Sequence, residues 1–167
     1  APAIGLNTNI GASVNANPAS TSYYTVTGTD LNGCSNTASA TINVNPKPVV
    51  TLTTTPNTNS ICEGASLVID ALGALNYSWQ PSNGLNQTSG QSVIASPISS
   101  TNYIVIGTDQ NNCKNTAEFM LNVGINPTIT ILPSNPVICE GESVSLSVNG
   151  ANQYTWTPSS TLTSSIG

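Results

Sequence analysis

Two blocks of sequence recur at fixed spacings, and that periodicity limits the fold more than any other feature. Ile61-Cys62-Glu63-Gly64 returns as Ile138-Cys139-Glu140-Gly141, and Tyr77-Ser78-Trp79-Gln80-Pro81 as Tyr154-Thr155-Trp156-Thr157-Pro158, both 77 residues later. Tyr24, Gly28-Thr29-Asp30, Cys34 and Asn36-Thr37-Ala38 return 79 residues later as Tyr103, Gly107-Thr108-Asp109, Cys113 and Asn115-Thr116-Ala117. A chain repeating on this scale is a series of like units and not one large domain. The 167 residues divide into the C-terminal part of one repeat (1–44), a complete second repeat (45–123) and the N-terminal part of a third (124–167). Boundaries fall at the Pro-bearing connectors Asn45-Pro46-Lys47-Pro48 and Gly124-Ile125-Asn126-Pro127, where the composition suits a linker. The two-residue difference between the offsets is expected in those connectors.

Within the second repeat, apolar residues alternate with polar ones over residues 50–54, 67–71, 77–79, 92–95, 102–106 and 117–123, the period of strands buried on one face. Six or seven short strands and no stretch of helical spacing predict an all-β fold. The expected architecture is a tandem series of immunoglobulin-like Greek-key β-sandwich repeats of about 78 residues, with a Trp on the third strand. In the first repeat, Asp30-Leu31-Asn32-Gly33 predicts a tight hairpin, because Asn and Gly both tolerate positive φ. Tyr24, Tyr77, Trp79, Tyr103, Tyr154 and Trp156 occupy repeat-equivalent strand positions and are expected in the core; a sugar-stacking platform is the rival reading. The partial repeats lack strands that would cover their cores, so open edges and an uncovered Trp156 are expected to favour association. The chain is therefore expected to be a window on a longer one, or to have its ends completed by other segments.

Composition narrows the function. Charged residues are 5% of the chain against roughly 25% in ordinary soluble proteins, yet 38% of residues are hydrophobic, enough to build a core. Lys47 and Lys114 are the only basic side chains and the net charge is −5, which removes the electrostatic footprint of nucleic-acid or anionic-membrane binding. No apolar run approaches the roughly 20 residues of a membrane span. Without His, and with Cys appearing as one pair per repeat, no nucleophile–base constellation can be assembled, so no enzyme is expected. Of the acids, Asp30 with Asp109 and Glu63 with Glu140 are repeat-equivalent, which turn chemistry explains. No cofactor is expected, except that a calcium ion at a domain junction could draw on equivalents of Asp109 and Glu63.

Cys62-Glu63-Gly64-x-Ser66, Tyr77-x-Trp79-x-Pro81 and Tyr103-x-Val105-x-Gly107-Thr108-Asp109-x-x-x-Cys113-x-Asn115-Thr116-Ala117 resemble the immunoglobulin-like or PKD-like repeats of giant Bacteroidota cell-surface adhesins. The nearest likeness is to gliding-motility adhesins exported by the type IX secretion system. The resemblance implies an extracellular, cell-surface spacer or stalk, whose partners are neighbouring repeats of the same chain and an external surface or polysaccharide. An array of carbohydrate-binding modules, and a non-catalytic module of a secreted enzyme, are the alternatives.

Four cysteines in a chain without His suggest disulfides in an oxidising compartment. The simplest pairing joins Cys62 to Cys113 within one repeat. Topology opposes it, because the last hairpin lies where the domain begins and Cys62 stands at a turn where the domain ends. A strand of about seven residues separates these ends by about 20 Å, beyond the roughly 7 Å limit on Cα separation. Interdomain pairing is thus favoured for Cys34, Cys62, Cys113 and Cys139, with the intradomain bond and free thiols as alternatives.

Overall fold

A computed structural model describes residues 4–162. The chain is all-β: β1 (Ser22–Thr29), β2 (Ser35–Ile42), β3 (Thr51–Thr55), β4 (Ser60–Cys62), β5 (Leu67–Leu72), β6 (Asn76–Gln80), β7 (Ser92–Ala95), β8 (Thr101–Thr108), β9 (Lys114–Gly124), β10 (Thr130–Leu132) and β11 (Ser147–Asn149). Strands β3 to β9 form two packed sheets. One has the order β3-β5-β7, all antiparallel, and the other β4-β9-β8-β6, in which β4 runs parallel to β9.

The alternation in sequence becomes the alternation of side chains across each sheet. Leu67, Ile69 and Ala71 of β5 with Val93 and Ala95 of β7 supply one inner face; Tyr77 and Trp79 of β6, Tyr103 and Val105 of β8, and Leu121 of β9 supply the other. Val50, Leu52, Ile61, Leu85, Ala117 and Phe119 pack around this core. The intervening residues Ser78, Asn102, Glu118 and Met120 face solvent, as expected for antiparallel sheets wet on one side.

The neighbouring segments repeat this design in part. β1 and β2 pair as β8 and β9 do, Gly28 facing Asn36 as Gly107 faces Asn115. The Leu6–Ala16 bridge matches the Leu85–Ala95 bridge. β10 pairs with β11 as β3 does with β5. The apolar faces of these segments are more open: Val26 is exposed, while Tyr24, Ile42, Tyr154 and Trp156 are half-buried.

Three details differ from the sequence expectation. First, the two-residue difference does not fall in the connectors. Thr51 pairs with Leu72 and Thr130 with Asn149, so the leading strand keeps the 79-residue offset while its partner has 77. The deletion shortens the leading strand itself, from five residues in β3 to three in β10. Second, the expected hairpin forms, but Asn32 does not take the positive φ that Asn-Gly allows. Asp30 N–H bonds to the Cys34 carbonyl and Gly33 N–H to that of Asp30, leaving a three-residue loop in which only Gly33 takes a left-handed φ; Asn112 is its equivalent in the second repeat. This is the turn-plus-bulge form of hairpin, selected because the Asp30 carboxylate caps both Asn32 N–H and Cys34 N–H, at 2.8 and 2.9 Å. Third, the expected turn at Cys62 forms, Ala65 N–H donating to the Cys62 carbonyl at 3.0 Å, but it is preceded by a strand, β4, that was not expected. The leading segment contributes β3 to one sheet, then crosses to add β4 to the other.

Candidate functional site at the two ends of the repeat

The connectors and the cysteines mark the two ends of the sandwich. At the upstream end lie the β8–β9 hairpin, the β5–β6 turn and the connector that precedes β3. Asp109 organises the hairpin as Asp30 does, its Oδ1 accepting from Asn111 N–H and Cys113 N–H, each at 2.8 Å. Cys113 Sγ lies 3.9 Å from the Asn45 carbonyl oxygen, and Asn115 Nδ2 donates to the Pro48 carbonyl at 2.9 Å. Pro48 is buried. The incoming connector is thus hydrogen-bonded to the hairpin and packed beneath it.

The downstream end is built by β4 and the C-terminal end of β9. Cys62 is in register with Gly124, Glu63 N–H donates to the Gly124 carbonyl at 2.8 Å, and Asn126 Nδ2 donates to the Glu63 carbonyl at 3.0 Å. Sequence reasoning missed Asn115 and Asn126 as clamps on the connectors. Asn115 carried a signal, since Asn36 stands at its equivalent position; Asn126 carried none, because its counterpart is Lys47.

Glu63 and Asp109 lie at opposite ends of one sandwich. Among the described residues, no group of three or more His, Cys, Asp or Glu side chains is placed to hold a metal ion. Asp109 spends its carboxylate on the turn, and Glu118 Oε2 accepts from Asn102 Nδ2 at 3.1 Å.

Tyr77, Trp79 and Tyr103 are buried, with Tyr103 wholly enclosed, so none offers a ring face to a sugar. Their polar atoms are satisfied inside the fold. Trp79 Nε1 donates to the Gly90 carbonyl at 2.9 Å. The Tyr77 hydroxyl accepts from Ala74 N–H and donates to the Ala74 carbonyl, and the Tyr154 hydroxyl does the same with Ala151. Tyr103 O–H donates to the Asn83 carbonyl at 2.7 Å and Tyr24 O–H to the Ile4 carbonyl at 2.9 Å. These bonds keep the repeat offsets, so the aromatic positions tie loops to strands in the same way from unit to unit.

Burial pushes the Tyr103 phenol above its ordinary pKa of about 10, opposed in part by the Thr101 hydroxyl. Because the folded-state value lies above the unfolded one, the neutral phenol's contribution is fully present below about pH 10 and is lost as pH rises through the folded-state pKa. Unfolding measured at pH 8 and pH 11 should therefore show an alkaline loss of stability. Tyr103→Phe should shrink that loss while lowering stability at pH 8, because the Asn83 carbonyl loses its donor. An unchanged alkaline loss in the variant would assign it elsewhere.

All four cysteines are thiols in this structure; Cys34, Cys62 and Cys139 are exposed and Cys113 is half-buried. Among the described residues, no helix is long and apolar enough to cross a membrane. No family model matches the chain, and no curated protein matches it.

Proposed function

We propose that this chain is a run of immunoglobulin-like spacer repeats in a large cell-surface adhesin, each sandwich adding length to a stalk or filament that serves surface adhesion and gliding motility. One observation carries the reading: the chain enters the second repeat beside Cys113 and leaves it beside Cys62, at opposite ends of β9. The eleven residues of β9 span about 36 Å at roughly 3.3 Å each. A unit entered at one end and left at the other extends a rod when repeated, and length then scales with copy number.

The clamped connectors support a stiff rod over a flexible string, since Asn115 and Asn126 tie down the segments that a loose linker would leave free. Immunoglobulin-like architecture is supported by the leading strand's crossing between sheets and by the buried Trp79. The Cys-Glu-Gly, Tyr-x-Trp-x-Pro and hairpin motifs support membership among exported Bacteroidota adhesin repeats, and hence an extracellular location. A non-catalytic role is supported by where the acids go, into turns and strand surfaces.

A two-repeat polypeptide applied to a glycan array should bind no glycan class above background, because the repeat-equivalent aromatics of a complete unit, Tyr77, Trp79 and Tyr103, are spent on the core. Saturable binding of one class would overturn the spacer reading in favour of a binding module.

A further inference from the structure

We propose that successive repeats are joined by a disulfide between the Cys-Glu-Gly cysteine of one repeat and the hairpin cysteine of the next. The proposal rests on the tandem-array reading and adds a covalent bond to it. Its geometry comes from the repeat register. Val44 N–H bonds to the Thr21 hydroxyl as Val123 N–H bonds to that of Ser100, which fixes the 79-residue offset at the end of each repeat and makes Asn45 the counterpart of Gly124. Cys62 is the register partner of Gly124 on the neighbouring parallel strand. The Cys-Glu-Gly cysteine of the first repeat therefore belongs beside Asn45, about 4.8 Å away in the sheet.

Cys113 approaches the same residue, its Sγ 3.9 Å from the Asn45 carbonyl oxygen. Two cysteines from successive repeats thus converge on one backbone residue, the closeness that a disulfide requires with its Cα separation of roughly 4.4–6.8 Å. The pairing inside one repeat fails by a wide margin. Cys62 lies beside Gly124 and Cys113 just before Lys114, so β9 separates them by about 36 Å. By the same register, Cys62 and Cys139 pair with the hairpin cysteines of the repeats that follow theirs, and Cys34 with the Cys-Glu-Gly cysteine of the repeat before.

Each bond forms by thiol–disulfide exchange. Two thiols lose two protons and two electrons, and a protein disulfide of the oxidoreductase class takes them up and leaves as a dithiol. The resulting link bridges the connector, so tension along the rod passes from sandwich to sandwich without loading the segment around Pro46 and Pro48.

The test is peptide mapping of the full-length parent protein, alkylated before reduction. The expected product joins the Cys113 peptide to a Cys-Glu-Gly peptide from upstream of residue 1. Cys113→Ser should expose one new alkylatable thiol, on that upstream cysteine, while the far-UV spectrum is unchanged. A Cys62–Cys113 product, or alkylation of both cysteines before reduction, overturns the staple alone. A parent sequence with no Cys-Glu-Gly unit upstream of Cys34 overturns the tandem-array reading, and the staple with it.

Discussion

Trp79→Ala should lower the stability of the central sandwich by about 3–5 kcal/mol, a Tm fall of roughly 12–40 °C for a unit of this size. Trp79 is 4% exposed, fills the space between the two sheets and donates its indole N–H to the Gly90 carbonyl. Truncation removes the ring, leaves a cavity the rigid strands cannot close, and strands a carbonyl acceptor. Total stability of a small domain is about 5–15 kcal/mol, so one substitution consumes much of it. Trp156→Ala is the internal control: its ring is half-buried, and its loss should cost far less. Calorimetry or circular dichroism across both variants decides the matter. A Trp79→Ala shift of only a few degrees would mean that the sandwich core does not depend on that ring.

Gly73→Ala should be among the most disruptive single-methyl changes. Gly73 holds φ at +96, and a Cβ built there would overlap the carbonyl oxygen of Val49. An L-residue in the left-handed region costs about 1–2 kcal/mol, and overpacking adds about 1–3, giving a loss of roughly 2–5 kcal/mol. The methyl must push away the stretch between the connector and β3, so the loss should appear locally as faster amide exchange at Thr51 and Thr53. Gly64→Ala separates the two costs. Gly64 has φ +86 but open space where a Cβ would stand, so its variant bears only the conformational part. Equal losses at both sites would show that the Val49 contact is irrelevant. Gly150 meets Thr128 as Gly73 meets Val49, and the same effect is expected there.

Much of this fold was legible because its strands announce themselves by period two. Leu67, Ile69 and Ala71 all point inward, as their spacing requires. Strand β4 was not legible: Ser60-Ile61-Cys62 is too short to show a period, and it exists because β9, some sixty residues on, offers a parallel edge. The position of the two-residue deletion was hidden for a different reason. The run Thr51-Leu52-Thr53-Thr54-Thr55 has few residues distinctive enough to align, so only hydrogen-bond register reveals which two are missing from β10. The hairpin itself was legible in Asn32-Gly33, but its loop length was not, because the Asp30 side chain, capping two N–H groups at once, selects three residues.

The ends of the sandwich were legible in outline only. Sequence topology separated Cys62 from Cys113, but underestimated the distance because it counted a seven-residue strand where β9 has eleven. The proximity of Cys113 to Asn45 had no sequence signature, since nothing in Asn45-Pro46-Lys47-Pro48 indicates how the connector folds back against the hairpin.

If these sandwiches are units of a stiff rod, electron microscopy of the parent protein in versions that differ in repeat number will show it. Unbranched rods are expected, lengthening in proportion to copy number by about 40 Å per repeat, a little more than the span of β9, with little bending at the junctions. Compact particles, or chains whose end-to-end distance grows only as the square root of repeat number, would contradict it.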